Sequence, residues 1–130
     1  KLAEAYGVES RKVRTLKVAA AVTISGEKVS VTSIAANAFK GMKKLEKVTI
    51  GTNVSKIGKN AFSGDSKLKS IQIKSKKLTS VGKGALKNIS AKAVIKVPKK
   101  KLSAYRKMLK ARGVTKKENV QAIKVKPEKA

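Results

Sequence analysis

Residues 54–73 read VSKIGKNAFSGDSKLKSIQI, and they decide the fold because the same pattern appears before and after them. The preceding copy spans residues 31–50 and reads VTSIAANAFKGMKKLEKVTI; the following copy spans residues 78–97 and reads LTSVGKGALKNISAKAVIKV. The copies begin 23 and 24 residues apart, and hydrophobic residues recur in each of them at offsets 3, 8, 17 and 19. A fixed period of this length is typical of solenoid proteins, in which each repeat adds one coil.

Each copy predicts two extended segments joined by a turn. Its last residues alternate as in a β-strand, because Val48 and Ile50 flank the polar Thr49. Its first residues predict a shorter extended segment, and the Asn-Ala-Phe-x-Gly stretch between the two predicts a turn. Phe39 and Phe62 fall at the same offset, so we expect neighbouring coils to place a phenyl ring at the same depth. One coil cannot bury its own apolar face, and the pattern therefore predicts coils stacked in register, with strands that add side by side into one sheet.

The flanks of the repeats predict a cap at each end. Residues 18–24 and 29–31 alternate around a turn, so we expect a β-hairpin that covers the first coil. Residues 99–112 carry apolar side chains at helical spacing and basic side chains between them, which predicts an amphipathic helix. Such a helix can cap the last coil, lie on an anionic membrane or dock on a partner, and the need to close the core favours the cap. Residues 120–125 predict a last short strand.

The predicted organisation is a single repeat domain over residues 13–130, preceded by an extension or linker over residues 1–12. The extension is polar and weakly patterned, which favours a frayed tail or a short helix ending near Gly7. The domain is divided into an N-terminal cap, three repeats and a capping helix with its tail: residues 13–30, 31–53, 54–77, 78–98 and 99–130. Because the chain opens on Lys1 rather than Met, we expect a piece of a longer protein.

Composition excludes most catalytic chemistry. The 130 residues include no His and no Cys, so histidine acid–base catalysis, a thiolate nucleophile, a zinc–thiolate site and a disulfide framework are all ruled out. We therefore predict no enzyme activity, no catalytic residue, no cofactor and no metal site. No run of about 18 apolar residues is present, so no membrane-spanning helix is expected.

The repeats resemble the BspA-type leucine-rich repeat family, which occurs in bacterial surface and secreted proteins. The resemblance covers roughly residues 29–109 and includes the closing residues 95–99, which are similar to the terminal unit of such arrays. It implies a mainly β solenoid of about three coils with an N-terminal β-hairpin cap and a C-terminal capping helix. The family often carries Cys where this chain has Met42 and Asp65, and Asn where it has Gly84, so we expect a looser or differently capped third turn.

The resemblance also implies a non-enzymatic interaction module, extracellular or on the cell surface, that serves protein binding or adhesion. Solenoids bind partners on the surface formed by stacked strand residues, which is here polar and mildly basic. The candidate ligand-binding residues are Lys47, Thr49, Ser70, Gln72, Lys74 and Lys96. The expected partner is a protein, a glycan or an anionic cell-wall polymer. An ordinary solvated sheet face is the alternative, since the chain has no Trp and no aromatic residue anchors the surface.

The net charge of +26 favours a second class of function, the binding of nucleic acid or of polyanions in general. Arg occurs only at positions 11, 14, 106 and 112, and no nucleic-acid-binding motif is present, so specific nucleic-acid recognition is not favoured. Acidic polymers and anionic lipid headgroups fit this charge better, which leaves peripheral membrane contact open. A third alternative is a structural spacer in a longer surface protein. We expect a monomer or part of a larger chain.

Overall fold

The structure is a computed structural model that describes residues 2–5, 13–110 and 120–122. Its strands are β1 (Leu2–Ala5), β2 (Thr15–Val18), β3 (Ala21–Ile24), β4 (Glu27–Ile34), β5 (Lys47–Ile50), β6 (Lys56–Ile57), β7 (Ser70–Ile73), β8 (Ser80–Val81), β9 (Val94–Val97) and β10 (Val120–Ala122). A 3₁₀ turn at Lys99–Lys101 leads directly into the helix α1 (Leu102–Lys110).

The strands form two five-stranded sheets. The main sheet has the order β10-β9-β7-β5-β2, and all of its strands are parallel. The second sheet has the order β1-β4-β6-β8, with β3 antiparallel to β4. Each copy of the repeat therefore contributes one strand to each sheet, which agrees with the predicted stacking of coils. The prediction of one sheet is wrong, because the shorter extended segments of successive copies pair with one another in a second sheet.

The core lies between the two sheets and follows the hydrophobic offsets of the repeat. Pairing of Val48 with Ile71, and of Ile50 with Ile73, keeps the apolar residues of β5 and β7 on one side of the main sheet. The rings of Phe39 and Phe62 stack with centroids 5.4 Å apart and an angle of 17° between their planes. The predicted phenylalanine column is thus present, and its members are part of one continuous cluster.

The turns are stacked by backbone hydrogen bonds as well as by side chains. Phe39 N–H donates to the carbonyl of Ala61 at 2.8 Å, and Phe62 N–H donates to the carbonyl of Ala85 at 2.9 Å. Two positions in every turn have a positive φ. The first is Asn37, Asn60 or Gly84, with φ of 60°, 56° and 71°; the second is Gly41, Gly64 or Asn88, with φ of 69°, 79° and 60°.

The expectation of a looser or differently capped third turn is therefore wrong. The third copy exchanges the two residue types, with Gly84 at the first left-handed position and Asn88 at the second, and keeps the same backbone. Glycine and asparagine are the residues that enter this region most readily, so the exchange preserves the turn. The hydrogen bond from Phe62 to Ala85 stacks the third turn on the second as closely as the second stacks on the first.

Met42 and Asp65, which stand where the family often has Cys, are both buried. Asp65 Oδ1 accepts a hydrogen bond from Met42 N–H at 2.7 Å, across adjacent turns. The carboxylate thus serves the backbone of the neighbouring coil, a role a thiol fills only weakly.

Tyr105 joins α1 to the second and third copies of the repeat. Its side chain and that of Leu109 are buried. The phenol hydroxyl donates to the carbonyl of Ser75 at 2.9 Å and accepts from Leu78 N–H at 3.0 Å. The helix predicted over residues 99–112 is present as α1, with residues 111–112 outside the described part of the chain.

Two predictions for the N-terminal region are wrong. Residues 18–24 do not form one strand, because β2 ends at Val18 and β3 begins at Ala21 in the other sheet. β2 instead pairs with β5 and adds a further strand to the main sheet, while the hairpin consists of β3 and the first half of β4. The crossing at residues 19–20 is tight: a Cβ on Gly51 would lie 2.6 Å from the carbonyl oxygen of Val18.

The short helix expected near Gly7 is also wrong for the residues that are described. Leu2–Ala5 is a strand that pairs in parallel with β4. The last predicted strand is present at Val120–Ala122 and pairs with β9. Residues 6–12 and 123–125 lie outside the described part of the chain.

Candidate binding face

The side chains of the main sheet that point away from the core form what we call the outer face. Strand alternation buries Val48 and Ile50, so Lys47 and Thr49 point outward. The parallel register then builds two columns across the strands, at a spacing of about 4.8 Å. The columns are Thr15, Lys47, Ser70, Val94 and Lys17, Thr49, Gln72, Lys96.

The register brings five of the six predicted site residues into these columns. Lys47 pairs with Ser70 in the first column. Thr49 pairs with Gln72, and Gln72 pairs with Lys96, in the second. Lys47 and Lys96 are exposed, whereas the shorter side chains between them are partly buried. The outer face is therefore polar: its lysine side chains are exposed, and the shorter hydroxyl and amide side chains between them are partly buried.

Lys74, the sixth predicted residue, lies directly after β7 and outside the columns. Its N–H donates to the carbonyl of Ile50 at 2.9 Å, which continues the ladder by one residue beyond the strand. The side chain is exposed. Lys74 thus stands at the end of the outer face, where the strands leave the main sheet.

A cleft of about 350 Å³ opens at this end, between the main sheet and the β3–β4 hairpin. Its lining residues are Lys17, Val18, Ala19, Ala20, Ala21, Lys28, Thr49, Gly51, Thr52 and Lys74. We call this space the basic cleft. It includes Thr49 and Lys74 from the predicted set.

Sequence reasoning missed Lys17, Lys28 and Thr52 as candidate site residues. The alternation of Thr15–Val18 matches that of Lys47–Ile50, and this signal could have identified β2 as another strand of the main sheet. Lys28 has no such signal, because only the folding back of the hairpin brings it to the cleft.

Two hydroxyls that directly precede strands of the second sheet, those of Ser55 and Thr79, form hydrogen bonds within the fold. Ser55 Oγ donates to the carbonyl of Thr32 at 3.2 Å, and Thr79 Oγ1 donates to the carbonyl of Ser55 at 3.2 Å. These bonds link successive coils.

Little in the described part of the chain suits catalysis or metal binding. Among residues 2–5, 13–110 and 120–122, no group of three or more acidic side chains is placed to hold a metal ion. Burial raises the pKa of the Tyr105 phenol above its ordinary value of 10.0. That hydroxyl is hydrogen-bonded to the backbone of Ser75 and Leu78, which is a structural use of the group. No helix among the described residues is long and apolar enough to cross a membrane.

The repeat pattern and the stacked strands decide the family. The model of the BspA-type leucine-rich repeat region matches residues 20–124, in six copies. The chain belongs to the BspA-type leucine-rich repeat family. This leucine-rich repeat chain is also similar to a solved structure, that of a leucine-rich cell surface protein from Faecalibacterium prausnitzii A2-165, with a TM-score of 0.59 and 25% identity.

That similarity covers 65% of this leucine-rich repeat chain and 23% of the Faecalibacterium protein. The chain thus spans about a quarter of the length of the surface protein it resembles. A comparison with curated proteins gives no match. The predicted mainly β repeat solenoid is confirmed at the level of a leucine-rich repeat fold with parallel stacked strands.

Proposed function

We propose that this chain is a non-enzymatic interaction module of a bacterial cell-surface or secreted protein, and that it binds an acidic partner through the outer face. The partner is a protein, a glycan or an anionic wall polymer. The observation that carries the proposal is the register of the main sheet, which sets Lys47 and Lys96 on the same exposed surface. The family and the surface location named for the similar protein support it.

The architecture that we propose for this role is a solenoid of about three coils, closed by the β3–β4 hairpin at one end and α1 at the other. The single domain that we propose extends over residues 13–130, and β1 from the preceding segment adds a strand to its second sheet. The helix supports this interpretation through Tyr105 and Leu109, which are buried against the repeats. The module acts as a monomer or as part of a larger chain.

The net charge of +26 favours a second candidate, general polyanion or nucleic-acid binding without a defined face. A third candidate is a spacer that binds nothing. The three candidates differ in which lysines contribute to polyanion binding. In the first candidate the lysines of the outer face contribute most, in the second all exposed lysines contribute equally, and in the third none contributes.

A salt-gradient experiment separates these candidates. The probe is immobilised heparin, with a double-stranded DNA column in parallel. We expect the Lys47→Glu/Lys96→Glu variant to elute at clearly lower salt than the Lys59→Glu/Lys83→Glu variant. The control pair carries the same change of charge, and its residues are exposed on the turns. Because all charges contribute to the long-range field, the control also shifts, but less.

Two outcomes contradict the proposal. Equal shifts of the two variants on both columns assign the binding to overall charge. If the unmodified chain is not retained even at low salt, it does not bind polyanions, and the spacer is the candidate that remains.

A further inference from the structure

We propose that the basic cleft binds a tetrahedral oxyanion ester, a phosphate or sulfate group carried by a sugar or polyol unit of an acidic glycan. The inference rests on the proposed function and deepens it, because Lys17 and Thr49 belong both to the outer face and to the cleft. It selects the glycan among the acidic partners and gives one of its charged units a place to dock.

The cleft collects cationic charge from three separate segments. Lys17 is on β2, Lys28 is on β4 and Lys74 follows β7, and all three side chains are exposed. None of the ten lining residues is acidic. Within the described part of the chain, none of these three lysines forms an ion pair. Their charges are therefore available to a ligand and raise the local concentration of anions.

The chemistry of these groups favours a tetrahedral oxyanion. A lysine ammonium is a compact charge with three donors, without the planar fork by which arginine matches a carboxylate. Ammonium groups supplied by three separate segments suit a tetrahedral anion, whose oxygens point in different directions. The hydroxyls of Thr49 and Thr52 line the same space and can donate to the remaining ester or sugar oxygens.

The size of the cleft favours a sugar- or polyol-sized unit over a bare ion. Its volume of about 350 Å³ lies at the lower end of the range of ligand pockets. Val18 and Gly51 are buried and Ala19–Ala21 are partly buried, so that these residues form the floor. The lysines, being exposed, form the rim. A floor of small apolar groups can contact the C–H surface of a sugar while the rim holds its anionic group.

The floor is held rigidly by the backbone. The approach of Gly51 to Val18–Ala20 leaves no room for a Cβ. Asn53 Nδ2 donates to the carbonyl of Ala20 at 2.9 Å, and Val31 N–H donates to the same carbonyl at 2.9 Å. The cleft is thus formed before a ligand arrives, which limits the ordering cost of binding.

Titration calorimetry on the full chain at low ionic strength tests the inference. The probes are glucose 6-phosphate, glucose 6-sulfate, glucuronate and glucose. We expect saturable binding of at least one of the two esters, no binding of glucose, and weaker binding of glucuronate. The ester that binds more tightly identifies the kind of anionic group.

Two triple variants locate the binding. Lys17→Gln/Lys28→Gln/Lys74→Gln should weaken ester binding at least tenfold. The control Lys59→Gln/Lys83→Gln/Lys87→Gln removes the same charge from exposed turn residues and should change the affinity by less than twofold. Circular dichroism and thermal melting confirm that both variants are folded.

The inference is overturned if neither ester binds saturably, if glucuronate binds as tightly as the esters, or if the two triple variants lose affinity equally. Its failure is distinguishable from that of the proposed function. If the chain binds heparin through Lys47 and Lys96 but binds neither ester, only the proposal for the basic cleft is refuted. If the esters bind at the cleft but the two Glu variants shift equally on heparin, the proposed binding of the partner by the outer face is refuted instead.

Discussion

Gly58 and Gly82 occupy the same offset in successive copies of the repeat, and both lie where one coil touches the next. A Cβ on Gly58 would stand 2.4 Å from the backbone nitrogen of Ala36, and one on Gly82 would stand 2.3 Å from that of Lys59. The first copy has Ala35 at this offset. At the scale of the residue, the lack of a side chain at Gly58 and Gly82 sets the spacing of the coils as much as the packed phenylalanine rings do.

We therefore expect Gly58→Ala to lower the free energy of unfolding by about 3 kcal/mol, since a methyl group there forces backbone apart and overpacking is costly. Urea denaturation followed by circular dichroism measures the change. Gly26→Ala is the matched control. Gly26 has a φ of +80° but open space around its Cβ position, so only the conformational cost of about 1–2 kcal/mol is expected. A Gly58→Ala variant at least as stable as Gly26→Ala would contradict this account of coil spacing.

At the scale of the element, α1 packs on the solenoid through Tyr105 and Leu109, and Tyr105 makes both an apolar and a polar contact. The ring of Tyr105 is buried in the core cluster, and its hydroxyl bridges Ser75 and Leu78. Ser75 is itself buried, and its Oγ donates to the carbonyl of Val54 at 2.6 Å. Hydrogen bonds therefore connect the helix to Leu78, at the start of the third copy of the repeat, and through Ser75 to Val54 in the second copy.

Tyr105→Phe keeps the ring and removes the hydroxyl, which leaves Leu78 N–H and Ser75 C=O without this partner. We expect a loss of about 2 kcal/mol in the free energy of unfolding near neutral pH, because buried groups without partners are costly. Urea denaturation gives the difference from the unmodified chain. A loss below about 0.5 kcal/mol would show that the hydroxyl does not join the helix to the repeats.

The same hydroxyl makes stability depend on pH in the alkaline range. Burial raises the pKa of Tyr105 in the folded chain above the 10.0 of an ordinary phenol. Its contribution is therefore fully present below pH 10 and is lost as the pH rises through the folded-state pKa. We expect the stability difference between the unmodified chain and Tyr105→Phe to be constant from neutral pH to about pH 9 and to shrink above pH 10.

Tyr6 is the other tyrosine of the chain, so a Tyr6→Phe variant leaves Tyr105 as the single phenol. Its tyrosinate absorbance should rise at a higher pH than that of a free tyrosine amide. A rise at the same pH would contradict the burial of the hydroxyl.

At the scale of the whole molecule, charge opposes folding. Thirty-three Lys and Arg residues face only seven acidic residues, and one of these, Asp65, is buried. The contact between Lys69 Nζ and Glu46 Oε1 is 3.5 Å long and lies at the surface, where an ion pair contributes little. The mutual repulsion of the lysines is therefore largely uncompensated, and it is the same field that attracts an acidic partner.

Salt should for this reason stabilise the chain while it weakens polyanion binding. We expect the melting temperature to rise by roughly 4–8 °C between 0.05 and 0.5 M sodium chloride, which corresponds to about 1 kcal/mol in a small domain. Thermal melting followed by circular dichroism measures it. An equal osmolality of glycerol, which does not screen charge, is the control. A melting temperature that stays constant or falls with salt would show that repulsion does not limit stability.

The sequence by itself determined the repeat, the stacking of its coils and the inward residues, but not the division of the strands between two sheets. The reason is that repeats of 23 or 24 residues with fixed hydrophobic offsets bury their apolar side chains by stacking in register. It also determined the phenylalanine column and five residues of the outer face, because strand alternation and parallel register follow from local spacing.

Only the tertiary structure decided the N-terminal end and the basic cleft. Residues 18–24 look like one alternating strand, and their division between β2 and β3 in two different sheets depends on contacts with β4 and β5, which are distant in sequence. The third turn shows the same limit, since Gly84 and Asn88 reveal their exchange only when both φ angles are known. Local pattern specifies which residues are inside, whereas long-range pairing specifies which surface lysines meet.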